Sequence, residues 1–134
     1  MDSRLRLTKN DSADIAFVKL CLMSGAISQD ELREWLYHVI EHYDDIPTYF
    51  FDLLDAKDLR EMFRGANGPI GFFTSSDLSE IESDALTGIA YKRGFYDGPL
   101  GYDVHIELDE ALNALQQNPH IEKRFCEMFP FIKL

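Results

Sequence analysis

Positive charge is scarce in this chain of 134 residues: 13 Lys and Arg stand against 24 Asp and Glu, a formal net charge of −11. Such a surface repels phosphates, which argues against direct contact with nucleic acid and favours a basic partner. Cysteine is scarce as well. Cys21 and Cys126 are the only two, both inside apolar helical patterns where a thiol behaves as a small hydrophobe, so neither a disulfide framework nor an oxidising compartment is indicated. No apolar run approaches the roughly 20 residues that a bilayer span requires, and the opening MDSRLRLTKNDS has no apolar h-region. A soluble, cytoplasmic protein without membrane contact is expected. Internal repeats, low-complexity segments and persuasive strand alternation are missing too. The glycine-rich stretch GANGPIGFFTSS, 65–76, lacks Gly-Lys-Ser/Thr and follows a helical pattern instead of a strand, which removes a phosphate-loop reading.

What the chain has in quantity is helical patterning. Ser28 and Glu31 have the spacing of a capping box, so a helix is predicted from about Gln29. Leu32, Trp35, Leu36, Val39, Ile40 and Tyr43 recur at steps of three and four, an apolar stripe that must face a core. The opposite side carries Glu31, Glu34, His38, Glu41, His42 and Asp45 toward water. The Ile46-Pro47 step breaks this helix, and Pro47 suits the first turn of a short successor with Tyr49, Phe50, Leu53 and Leu54 apolar and Asp52 and Asp55 outside that set.

Before this pair, Asp11 or Ser12 is placed to cap a buried helix from Ala13 to about Ser24, stopped by Gly25 at the C′ position. Residues 1–10 read equally as an extended tail or an irregular lead-in. After the pair, the pattern predicts a helix over 56–64. A loop over 65–76 follows, pinned by Phe72 and Phe73, and then a helix over 77–93 started by Ser75 or Ser76 with Leu78, Ile81, Ala85 and Ile89 inward. Gly88 within that helix costs about 1 kcal/mol relative to Ala and therefore marks a close helix crossing near Ala85. A turn-rich connection, 95–103, leads to a helix over 104–117 carrying Ile106, Leu108, Leu112 and Leu115. Asn118 then caps a last helix, Pro119 to about Phe129, with Ile121, Phe125, Met128 and Phe129 inward. The expectation is an all-α protein, a single domain over 1–134 built as an irregular bundle of six or seven helices.

Chemistry-bearing motifs are few. His38-Val39-Ile40-Glu41-His42 matches H-x-x-E-H, which on a helix sets two imidazoles at i and i+4 beside a carboxylate, as in inverted zinc peptidases. Catalytic zinc needs a third protein ligand and an open coordination position, and no motif supplies that ligand. The plainer reading is two solvated histidines on an acidic face, so neither metal nor other cofactor is expected. Thr74, Ser75 and Ser76 lack a Gly-x-Ser-x-Gly setting, His105 and His120 have no identifiable partner, and Asp44 with Asp45 fits a solvated helix end. A binding protein is therefore expected, with no catalytic residue. The alternatives are a small metal-dependent hydrolase built on the His38-x-x-Glu41-His42 helix and a helical adaptor or self-assembling protein that uses an apolar patch.

Between residues 28 and 58 nine acidic side chains stand against Arg33 and Lys57 alone, a one-sidedness that costs self-repulsion and implies a use. The pattern Gly25-Ala26-Ile27-Ser28, Glu31-Leu32, Trp35, Val39-Ile40, Asp45, Pro47 and Asp52-Leu53, with Leu86, Gly88, Tyr91 and Gly94 later, resembles small helical immunity proteins of bacterial toxin systems, including those of contact-dependent growth inhibition. It covers roughly half the chain. The resemblance implies a cognate inhibitor that binds one toxin domain, commonly a basic nuclease, and blocks it. Acidic side chains opposed to a basic cleft would speed association and select partners. On this reading Glu34, His38, Glu41, His42, Asp44, Asp45, Asp52 and Asp55 form the contact, with Tyr43 and Tyr49 as aromatic anchors at its edge.

Overall fold

The computed structural model describes residues 5–55, 68, 70–94 and 107–134. Among them are six helices and no strand: α1 (Ala13–Met23), α2 (Gln29–His42), α3 (Tyr49–Asp55), α4 (Glu80–Lys92), α5 (Leu108–Gln117) and α6 (Pro119–Met128). The chain is all-α. No helix among the described residues is long and apolar enough to cross a membrane. The helix expected over 56–64, and the connection over 95–103 with the first residues of the helix expected from 104, lie outside the described residues.

Contacts gather the chain into two units, Met1–Lys19 with Gln29–Asp77 and Leu20–Ser28 with Leu78–Leu134. In the first unit, the lead-in to α1 is irregular and held down by particular bonds. Leu7 is buried, Thr8 and Asp11 exchange backbone hydrogen bonds in a tight turn, and the Arg6 carbonyl accepts from the N–H groups of Asp14 and Ile15 at the start of α1. Asp14 is nearly buried and accepts from the Arg6 N–H at 2.7 Å. The two bonds to the Arg6 carbonyl satisfy donors that the N-terminus of α1 would otherwise leave open. Ser12, offered above as a cap, accepts from the Ser75 N–H at 2.9 Å and so ties the lead-in to the loop 63 residues on.

Helix α2 begins at Gln29 as its pattern predicts, and Leu32, Trp35, Leu36 and Val39 are buried on its inner stripe. Trp35 meets Phe50 of α3 with ring centroids 5.6 Å apart and planes tilted by 42°, a geometry that suits the ring quadrupoles. In the loop after 65 the anchoring differs from expectation: Ile70 is buried and Phe72 packs edge-on to Tyr49, whereas Phe73 is 77% exposed.

The second unit opens with the end of α1. Gly25 takes φ 86°, its N–H reaches the Leu22 carbonyl and the Ala26 N–H reaches the Cys21 carbonyl, which is the double bond pattern of a Schellman stop. Helix α4 starts later than expected, at Glu80. Its cap is Ser79, whose hydroxyl accepts from the Glu82 N–H while the Glu82 carboxylate accepts from the Ser79 N–H, so the capping box sits one turn beyond Ser75 and Ser76.

Gly88 does mark a close crossing, and its partner is α5. A Cβ at residue 88 would be driven into the Ala111 carbonyl oxygen and would lie 2.9 Å from Leu115 Cβ. Small residues, Ala85 and Gly88 on α4 and Ala111 and Ala114 on α5, are buried here beside Leu86, Ile89 and Leu115. Ile81, expected on the inner stripe of α4, is exposed instead, as are Leu108 and Leu112 of α5, whose buried row runs through Ala111, Ala114 and Leu115. Asn118 ends α5 by donating from Nδ2 to the Ala114 carbonyl at 2.8 Å; it precedes α6 but makes no side-chain cap to it. Ile121, Phe125 and Phe129 form the buried row of α6. Cys126, one position off that row, is exposed and not apolar core as its pattern suggested, whereas Cys21 is buried.

Candidate functional site

Every residue assigned to the acidic face lies in the first unit, on α2, α3 and the residues between them. Helical geometry sets their directions. With Leu32, Trp35, Leu36 and Val39 turned inward, positions 30, 34, 37 and 41 recur at i, i+4, i+7 and i+11 and form the outermost row of α2. Asp30, Glu34 and Glu41 are exposed there, as are His42, Asp44 and Asp45 beyond. On α3, Tyr49, Phe50 and Leu53 are buried, which turns Phe51, Asp52 and Asp55 to the surface. The break at Pro47 therefore does more than end a helix: it lets two short amphipathic pieces each bury one face and present carboxylates on the other.

No lysine or arginine among the described residues forms an ion pair with Glu34, Glu41, Asp44, Asp52 or Asp55. Arg33, the one Lys or Arg of α2, lies 3.6 Å from Asp30 at i−3. Among the described residues, the negative potential of Glu34, Glu41, Asp44, Asp52 and Asp55 is therefore not offset by an ion pair.

The two histidines come together. Their rings lie 4.3 Å apart, tilted by 30°, and His42 Nδ1 is 2.8 Å from the His38 carbonyl oxygen. A carbonyl only accepts, so Nδ1 carries the proton in this contact and Nε2 is the remaining ring nitrogen. His38 is held below its ordinary value by burial and by the neighbouring His42, against the opposing pull of Glu41. It is therefore mostly neutral at pH 7. Among the described residues no three His, Cys, Asp or Glu side chains gather as a metal-binding group; Glu41, the carboxylate of H-x-x-E-H, belongs to the outer row of the helix.

Tyr49 is a correction. Placed above at the edge of the contact, it is only 7% exposed, its ring packs on Phe50 and Phe72, and its hydroxyl donates to the Leu7 carbonyl at 2.6 Å. Burial pushes the phenol well above its ordinary value, so it remains a hydrogen-bond donor and serves the core. Tyr43 is half-buried. The aromatic rings that do reach the surface among the carboxylates are Tyr37, 55% exposed, and Phe51, 53% exposed. Both were legible: each falls off the apolar stripe of its own helix, Tyr37 between Glu34 and Glu41, Phe51 beside Asp52.

The chain matches no protein-family model, no curated protein and no solved structure.

Proposed function

We propose that this protein is an immunity protein: a cytoplasmic, non-enzymatic inhibitor that binds the cognate domain of a bacterial toxin, of the contact-dependent growth inhibition kind, through the acidic face of α2 and α3. The observation that carries the reading is the set of exposed carboxylates at Glu34, Glu41, Asp44, Asp52 and Asp55, left without an internal cation among the described residues on helices whose other sides are buried. Such a face fits a basic protein domain, a nuclease being the obvious case, because the groove that receives nucleic acid is itself cationic. The resemblance of the 25–53 pattern to immunity proteins supports the same choice.

Tyr37 and Phe51 take the anchoring role first given to Tyr49. Each offers a large apolar surface inside a charged rim, which is how residues that dominate binding energy are usually set. His38, His42 and Asp45 complete the contact, with His38 mostly neutral at pH 7.

The test is genetic and then physical. A large secreted protein with a variable C-terminal domain, encoded beside this gene, is expected to supply the partner. Coexpression of that domain with this chain should yield a stoichiometric complex on a sizing column and should restore growth. If the domain stays unbound and toxic in the presence of folded protein, the assignment is wrong.

A further inference from the structure

An open cleft of about 480 Å³ lies in the second unit, where the last turn of α4 at Lys92 faces α6 and the C-terminal residues Ile132 and Lys133. Its volume falls within the roughly 300–1,000 Å³ of small-molecule sites. In a chain of net charge −11, three of the thirteen basic side chains, Lys92, Lys123 and Lys133, line this one cleft. Lys92 is engaged, its Nζ 2.7 Å from Glu122 Oε1. Lys123 and Lys133 form no ion pair among the described residues. Pro119, the buried Ile132 and Leu134 give the cleft its apolar part, and Glu122, the partner of Lys92, is the acidic side chain in its lining. Two ammonium groups without an ion-pair partner among the described residues give the cleft an excess of positive charge that suits an anion, and Pro119 adds the positive end of the α6 dipole.

We propose that this cleft binds a small organic anion, its carboxylate or phosphate held by Lys123 and Lys133 and its apolar part resting on Pro119 and Ile132. The site is separate from the acidic face and does not depend on the immunity reading.

Cys126 lines the same cleft and is exposed, whereas Cys21 is buried and its thiol is pushed well above its ordinary value by that burial. Alkylation of the native protein by iodoacetamide, a neutral reagent, therefore reads Cys126. Phenyl phosphate or benzoate is expected to slow that reaction in a saturable way, by about fivefold at roughly four times its dissociation constant. Whichever of the two protects at the lower concentration identifies the anionic head. Phenol should give no protection, and inorganic phosphate much less than phenyl phosphate. Lys123→Gln with Lys133→Gln, both at exposed positions, should abolish protection while leaving the far-UV spectrum and the unprotected rate in place. Unchanged alkylation with both aryl anions, equal protection by phenol or inorganic phosphate, or full protection in the double variant overturns the proposal.

Discussion

Gly88→Ala pits helix propensity against packing, and the structure decides the sign. Alanine is about 1 kcal/mol better than glycine inside a helix, and α4 runs three residues or more beyond residue 88 on both sides, so propensity alone predicts a gain. The new methyl, however, would be driven into the backbone carbonyl of Ala111 and would stand 2.9 Å from Leu115 Cβ. A carbonyl cannot rotate away as a side-chain end does, so α5 itself must shift. Overpacking of this kind costs about 1–3 kcal/mol, and a backbone obstacle puts the cost in the upper part of that range. The net expectation is a loss of about 1–2 kcal/mol, read as a fall in Tm of roughly 4–8 °C at this chain length. Differential scanning calorimetry or urea titration followed by circular dichroism measures it. An unchanged or higher midpoint would refute the close contact between α4 and α5.

The reassigned tyrosines give opposite expectations. Tyr49→Phe removes the buried hydroxyl that donates to the Leu7 carbonyl and should lower stability by about 1–2 kcal/mol without altering affinity for the partner, whereas Tyr37→Ala should leave the urea midpoint nearly unchanged and weaken the complex by about 1 kcal/mol or more, as the loss of an interface anchor does. Titration calorimetry beside denaturation separates the two, and a reversed pattern would return Tyr49 to the surface role. Glu82 is held down to about 2 by the Ser79 backbone N–H first and by His120 after it. A carboxyl lowered in the folded state stabilises above its unfolded value of 4.5 and loses that contribution as pH falls toward 2. Tm should therefore decline more steeply below pH 4.5 in the wild type than in Glu82→Gln; parallel curves would remove the capping box from the stability of α4. The effect should be modest, because the group is only partly buried.

How much of this was readable in advance depended on whether the deciding contact was local. Gly25, the inner stripe from Leu32 to Val39, and the Asn118-Pro119 junction are set by residues within a turn or two of one another, and the helices form where those patterns lie. The start of α4 was local too, since Ser79 and Glu82 have the capping-box spacing that Ser75 and Ser76 lack. Other features are long-range. The Tyr49 hydroxyl finds a carbonyl 42 residues away, which no window of sequence contains, and the Gly88 backbone meets Ala111 and Leu115 of another helix. Cys126 shows how narrow the margin is: Ile121, Phe125 and Phe129 fill the buried row of α6, and the adjacent position faces water. At the acidic face the carboxylate positions followed from helical period, while the choice between Tyr37 and Tyr49 rested on which ring the core had room for.

The most direct measurement is the affinity of the toxin domain encoded beside the gene for the wild-type chain and for Glu41→Lys, Asp45→Lys, Asp52→Lys combined, each at low and high salt. All three sites are exposed, so the triple variant should fold with a midpoint near that of the wild type. The account predicts binding weakened by about 100-fold or more at low salt and a much flatter dependence on salt, as expected when attraction between opposite charges turns into repulsion. Equal affinity and an equal salt slope for the two proteins would contradict it.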